Sequence, residues 1–145
     1  MRIEIRRLDS DLALPAAQHE GDAGYDLLAR EAVVLAPGGG RAAVPTGVAV
    51  GIPPGYAGLV LPRSGLALRH GIGCLNSPGL IDSGYRDEVR VILVNQDPTE
   101  PFEVHRGDRI AQLVIQQVET VEWAEVDDLG QSARGLGGFG STGRR

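Results

Sequence analysis

Twenty-one glycines and nine prolines are scattered along the 145 residues, so turn signals recur throughout the chain. Glycine alone stands at about twice its usual ~7% share. The segments between these turns are short and rich in β-branched and aliphatic residues, which is the pattern of a turn-rich all-β domain. Ile3 and Ile5 alternate with charged neighbours and predict a first strand. Further strands are predicted at Ala32 to Leu35, Thr46 to Ile52, Tyr56 to Leu61 and Ile72 to Leu75. Glu88 to Asn95, Phe102 to His105, Arg109 to Val118 and Val121 to Val126 complete the set. One helical turn is expected at Ser64 to Arg69. With no repeat and no βαβ rhythm, the expected class is all-β: a sandwich, barrel or jelly roll.

The length suits one domain, large enough to bury a core without disulfides. Cys74 is the only cysteine, which excludes an intrachain disulfide and a thiolate zinc cluster. No run of about 18 apolar residues predicts a membrane span, and MRIEIRRLDS carries no signal core. A cytoplasmic protein is expected. All 14 basic residues are arginine, so Schiff-base chemistry, pyridoxal attachment and a P-loop lysine are excluded. Arginine instead suits bidentate recognition of phosphate or carboxylate. The net charge of −5 argues against a general nucleic-acid binder.

Four runs carry possible chemistry. Pro62-Arg63-Ser64-Gly65 leaves a predicted strand and opens the helical turn, an arrangement suited to an anion but also to a plain surface turn. Arg106 to Gln112 is a charged turn entering a strand. Ala23 to Leu27 sets Asp26 among small and apolar neighbours, where a structural turn aspartate is the simpler reading. Asn76 to Glu88 joins two strands and brackets Asp82 with glycines, near Tyr85 and Asn76. An aspartate on a rigid hairpin beside an asparagine and a tyrosine can be a general base next to a recognition pocket, or part of an ordinary hairpin. His19, His70 and His105 have no metal-ligand spacing. Cys74 reads as a small buried residue.

Residues 130–145 are rich in glycine, serine and arginine, too poor in apolar groups to order alone. Gly135 to Gly140 spells G-x-G-x-x-G, and Gly135 to Thr142 matches a P-loop with Ser141 in the lysine position. Neither fits, because no βαβ unit or helix follows. Glycine amides, two hydroxyls and Arg134 can still wrap a phosphate chain.

Taken together, AGYDL at 23–27, PRSGLAL at 62–68, GLIDSGYRDE at 79–88, RGDRIAQL at 106–113 and RGLGGFGST at 134–142 resemble the five ordered motifs of the homotrimeric dUTPases. The resemblance covers most of the chain. It implies a jelly-roll-like β domain at residues 1–129 and a glycine-rich arm at 130–145 that closes an active site shared between three chains. It further implies hydrolysis of dUTP to dUMP and pyrophosphate by water attack at the α-phosphorus. That reaction limits uracil incorporation into DNA and supplies dUMP for dTMP synthesis. Magnesium would be held by triphosphate oxygens and water rather than directly by protein.

By the same resemblance, Asp82 is the base that activates water, and Asn76 reads the uracil edge. Tyr85 packs under the deoxyribose and excludes a 2′-hydroxyl. Arg63, Ser64, Gly65 and Gln112 hold the phosphates, with Asp26 supporting. From the arm, Arg134, Gly140, Ser141 and Thr142 close on the phosphates and Phe139 stacks on uracil. One departure is Asp87, at a position where the family commonly has glycine. Two rivals are a dCTP deaminase and an inert nucleotide-binding module. The deaminases need a glutamate on the strand after the hairpin, and Val89 to Val94 contains no carboxylate. Asp82 and a complete arm weigh against the inert module.

Overall fold

The computed structural model describes residues 1–133 together with Gly135 and Gly137. The all-β expectation is borne out. Among the described residues, the strands are β1 (Glu4–Arg7), β2 (Tyr25–Leu28), β3 (Val33–Leu35), β4 (Gly40–Pro45), β5 (Val48–Gly51) and β6 (Tyr56–Leu61). After the single helix α1 (Ser64–His70) come β7 (Ile72–Cys74), β8 (Gly79–Ile81), β9 (Arg90–Asn95), β10 (Phe102–Val104) and β11 (Arg109–Gln117). The expected helical turn is therefore a short helix, and most expected strands lie within a few residues of their predicted bounds.

All strand pairs are antiparallel. The largest sheet runs β2-β11-β6-β8, and a second runs β4-β9-β7, with two further pairs β1-β5 and β10-β3. Side chains from all these sheets meet in one core, including Leu27, Leu35, Ile52, Ile72, Val91, Leu93, Val104 and Ile110. Alternation explains which faces enter it: in β6, Tyr56, Gly58 and Val60 share the core-facing side, with Val60 buried in the core and Tyr56 packed against it, whereas Leu59 and Leu61 on the other face are partly exposed. Asn95 is fully buried yet satisfied. Its Nδ2 donates to the Leu35 and Glu100 carbonyls at 3.1 and 2.8 Å, and its Oδ1 accepts the Asp97 amide. That side chain ties the turn after β9 to β3.

Three strands have no counterpart in the sequence reading: β2, β4 and β8. Each is glycine-flanked or alanine-rich, so local propensity is weak and the cross-strand partner supplies the pairing. One expectation is overturned. Val121 to Val126 is not a strand; residues after β11 up to 133 contain neither strand nor helix. No partner strand lies beside it among the described residues, and its β-prone residues are exposed, with Trp123 at 90% and Val121 at 60%. No helix among the described residues is long and apolar enough to cross a membrane.

Candidate functional site

The outer end of the β2-β11-β6 sheet gathers one group of predicted residues. Asp26 on β2 lies opposite Gln112 on β11, which lies opposite Leu61 at the end of β6. Arg63, one residue past the Pro62 that follows β6, occupies the N-cap position of α1 without a side-chain capping bond. Its Nε sits 3.0 Å from Asp26 Oδ1, and Arg109 Nη1 approaches Asp26 Oδ2 at 3.4 Å. Asp26 is buried, so the two guanidiniums offset the cost of taking its charge out of water. Arg63 also donates to the Arg109 carbonyl at 3.1 Å, and Gln112 Nε2 to the Pro62 carbonyl at 3.0 Å. Ser64, Gly65, Gln18, Asp22 and Arg69 complete the rim of a polar hollow of about 230 Å³.

A register irregularity in β11 makes this grouping possible. Arg109 pairs with Leu28 and Ala111 with the adjacent Leu27, so Ile110 is an extra residue. Ile110 and Ala111 are both buried, and strand alternation is rephased. Arg109 and Gln112, three apart in sequence, consequently serve one face. Gly24 leaves room for the Gln112 side chain in this position: a Cβ there would push the Gln112 amide aside. Arg109 is the residue that motif reading left unassigned. Its signal was the charged turn Arg106 to Arg109 immediately before a strand.

A second group occupies the segment between β7 and β9. Asn76 lies over Gly79, whose Cβ position would be 3.3 Å from Asn76 Nδ2. The peptide Ser77–Pro78 is cis. Asp82 is exposed just beyond β8, and the Tyr85 amide donates to its carbonyl at 3.0 Å, closing a turn. Tyr85 is 40% exposed, and its hydroxyl donates to the Glu88 carbonyl at 2.9 Å. Asp87 Oδ1 accepts the Glu88 amide at 2.7 Å, so the unusual aspartate braces its own turn.

The two groups do not meet within one chain. β8 runs antiparallel to β6 with Ile81 opposite Gly58, so Asp82 is level with Ala57, whereas Arg63 leaves the far end of β6. At ~3.3 Å per residue, about 15–20 Å of strand separates them. Arg134, Phe139, Gly140, Ser141 and Thr142 lie outside the described residues. Cys74 is buried, and burial pushes its thiol up to about 11, consistent with a packing role. Among the described residues no group of three His, Cys, Asp or Glu side chains is placed to hold a metal ion.

Residues 10–143 match the family model described as dUTPase. The chain is 60% identical over 143 residues to the deoxyuridine 5'-triphosphate nucleotidohydrolase of Thermobifida fusca, covering 99% of this chain and 79% of that protein. Its fold is similar to that of the Staphylococcus bacteriophage 80alpha dUTPase solved with dUpNHpp, at TM-score 0.88 and 31% identity, with 98% of each chain covered. A mutant dUTPase from phage phi11 of S. aureus, solved for the coordination of a structural Mg(II) ion, aligns at TM-score 0.81 and 28% identity over 89% of this chain and 99% of that one. An all-β nucleotide hydrolase is thus the class into which both fold and motifs fall. The chain belongs to the dUTPase family.

Proposed function

We propose that this chain hydrolyses dUTP to dUMP and pyrophosphate in an active site shared between copies of itself. The match of residues 10–143 to the family carries the reaction. The separation of Asp82 from Arg63 supports the sharing. The phosphorus atoms of a triphosphate are neighbours on one short chain, so a base and a phosphate clamp at opposite ends of β6 cannot both serve one molecule of dUTP. A closed trimer brings the hairpin of one subunit to the clamp of another. Exposed apolar residues on the segment after β11 (Val121, Trp123, Val126 and Leu129) favour such association.

In this reading, Arg63 supplies the positive charge facing the phosphates, with Asp26 and Arg109 fixing its direction. Holding the arginine in place before substrate arrives avoids reorganisation during reaction. Gln112, pinned by Gly24 and the Pro62 carbonyl, offers its amide to the same rim. Asp82 orients and deprotonates the water that attacks the α-phosphorus, and pyrophosphate leaves with the P–O bond electrons. Asn76 reads uracil and Tyr85 lies under the deoxyribose. Arg134, Phe139, Gly140, Ser141 and Thr142 close over the nucleotide from the 130–145 arm.

Magnesium enters as part of the substrate, bound to phosphate oxygens and water as a hard cation prefers. Asp26 is not free to ligate it, since both its oxygens face guanidiniums. A cytoplasmic setting, where deoxynucleotides are made, fits this activity. The test is product identification: pyrophosphate release from dUTP with magnesium should far exceed release from dTTP, dCTP or UTP. Ammonia from dCTP would replace this reading with a deaminase.

A further inference from the structure

We propose that Glu88 is a positioning residue that fixes the Tyr85 ring and thereby sets the preference for deoxyribose over ribose triphosphates. This rests on the reading of Tyr85 as the residue beneath the deoxyribose.

Glu88 is only 6% exposed. A carboxylate that deep is retained only with good partners, and it has two. The Gly47 amide donates to Oε1 at 2.7 Å, and Arg30 Nη1 lies 3.4 and 3.5 Å from the two oxygens. Gly47 has φ of +74°, a conformation that suits glycine and turns this amide toward Glu88. Arg30 is itself held: its Nε faces Asp9 Oδ2 at 3.5 Å, and its carbonyl accepts from Arg106 at 2.8 Å. The chain beyond Glu88 is tied to the same loop, with the Val89 amide donating to the Val48 carbonyl at 2.8 Å and Thr46 Oγ1 donating to the Val89 carbonyl at 2.7 Å. On the other side, Asp87 Oδ1 secures the Glu88 amide.

The Glu88 carbonyl is therefore a fixed point, and it is the acceptor of the Tyr85 hydroxyl. Tyr85 is 40% exposed, so core packing does not set its ring orientation. The hydroxyl bond and the turn to Asp82 do. A ring that excludes one hydroxyl by contact must not tilt. The charge network from the exposed Arg106 through the partly buried Asp9 and Arg30 to the buried Glu88 thus ends at the residue that tests the sugar.

The experiment compares kcat/KM for dUTP and for UTP in wild type, Glu88→Gln, Glu88→Ala, Tyr85→Phe and the Glu88→Gln/Tyr85→Phe double variant. A wild type that prefers dUTP upholds the underlying reading; one without that preference overturns both. Tyr85→Phe and Glu88→Ala are each expected to lower the dUTP-over-UTP ratio by about 3–10-fold, the scale of one hydrogen bond. Glu88→Gln keeps an acceptor for Gly47 and should restore part of that loss. The double variant should lose no more than Tyr85→Phe alone. If Glu88→Ala lowers both substrates equally and leaves the ratio unchanged, Glu88 is structural only. Should Glu88→Ala fail to fold, as judged by thermal melting, the cycle with Glu88→Gln decides: additive losses overturn the proposal.

Discussion

Asp82 and Arg63 leave opposite ends of one strand pair, β8 and β6, facing away from each other along the sheet. If both act on one triphosphate, they come from different copies. Mixing Asp82→Asn with Arg63→Ala subunits should then restore activity that neither has alone. Random assortment gives about a quarter of wild-type activity, because a competent site needs one intact hairpin and one intact clamp. Exchange of subunits after brief mild denaturation, followed by a pyrophosphate assay, measures it. No recovery in mixed assemblies would place both residues in a single-chain site.

Asp82→Asn keeps the shape of the exposed side chain but removes the proton acceptor. Turnover of dUTP should fall by roughly 10²–10⁴-fold, while dUpNHpp still binds in calorimetry. Undiminished turnover would remove Asp82 from the reaction.

Gly24→Ala adds one methyl where Gln112 now lies. Gln112 must leave its bond to the Pro62 carbonyl, and the clamp loses its alignment. A drop in kcat/KM of about 10–100-fold is expected, with a melting temperature close to wild type because the Gln112 side chain is partly exposed. Equal losses of stability and activity would mean that Gly24 serves the fold rather than the site.

Acid stability should depend on Asp9. The Arg106 side chain bonded to it holds its carboxyl at about 2, against an ordinary 3.8. A folded-state value below the unfolded one gives stability that is fully present above about pH 4 and is lost as pH falls toward 2. Asp97 is lowered too, chiefly by the Glu100 amide, and acts in the same direction. Asp9→Asn should flatten the urea-denaturation midpoint between pH 4 and 2 and lower it at pH 7. An unchanged acid limb would show that the Asp9–Arg106 pair does not contribute to folding.

Removal of residues 134–145 tests the arm. The truncated chain should keep its assembly size in light scattering and its melting temperature, and lose most turnover of dUTP. Arg134, Ser141, Thr142 and Phe139 would otherwise have no part in closure.

The all-β class was legible because glycine and proline cut the chain into short pieces, most of them β-rich, and strands such as Tyr56 to Leu61 carry their own propensity. The candidate residues were legible too, since their motifs lie in order along the chain. The tertiary structure decided three things that no local pattern encodes. An extra residue at Ile110 rephases β11 so that Arg109 joins Gln112 on the face with Asp26, and pairing register depends on the partner strand. Glu88 reads as one more surface charge until Arg30, 58 residues away, and the Gly47 amide are seen to bury it. Val121 to Val126 has the composition of a strand but finds no edge to pair with among the described residues, and a strand requires a neighbour for its amides and carbonyls.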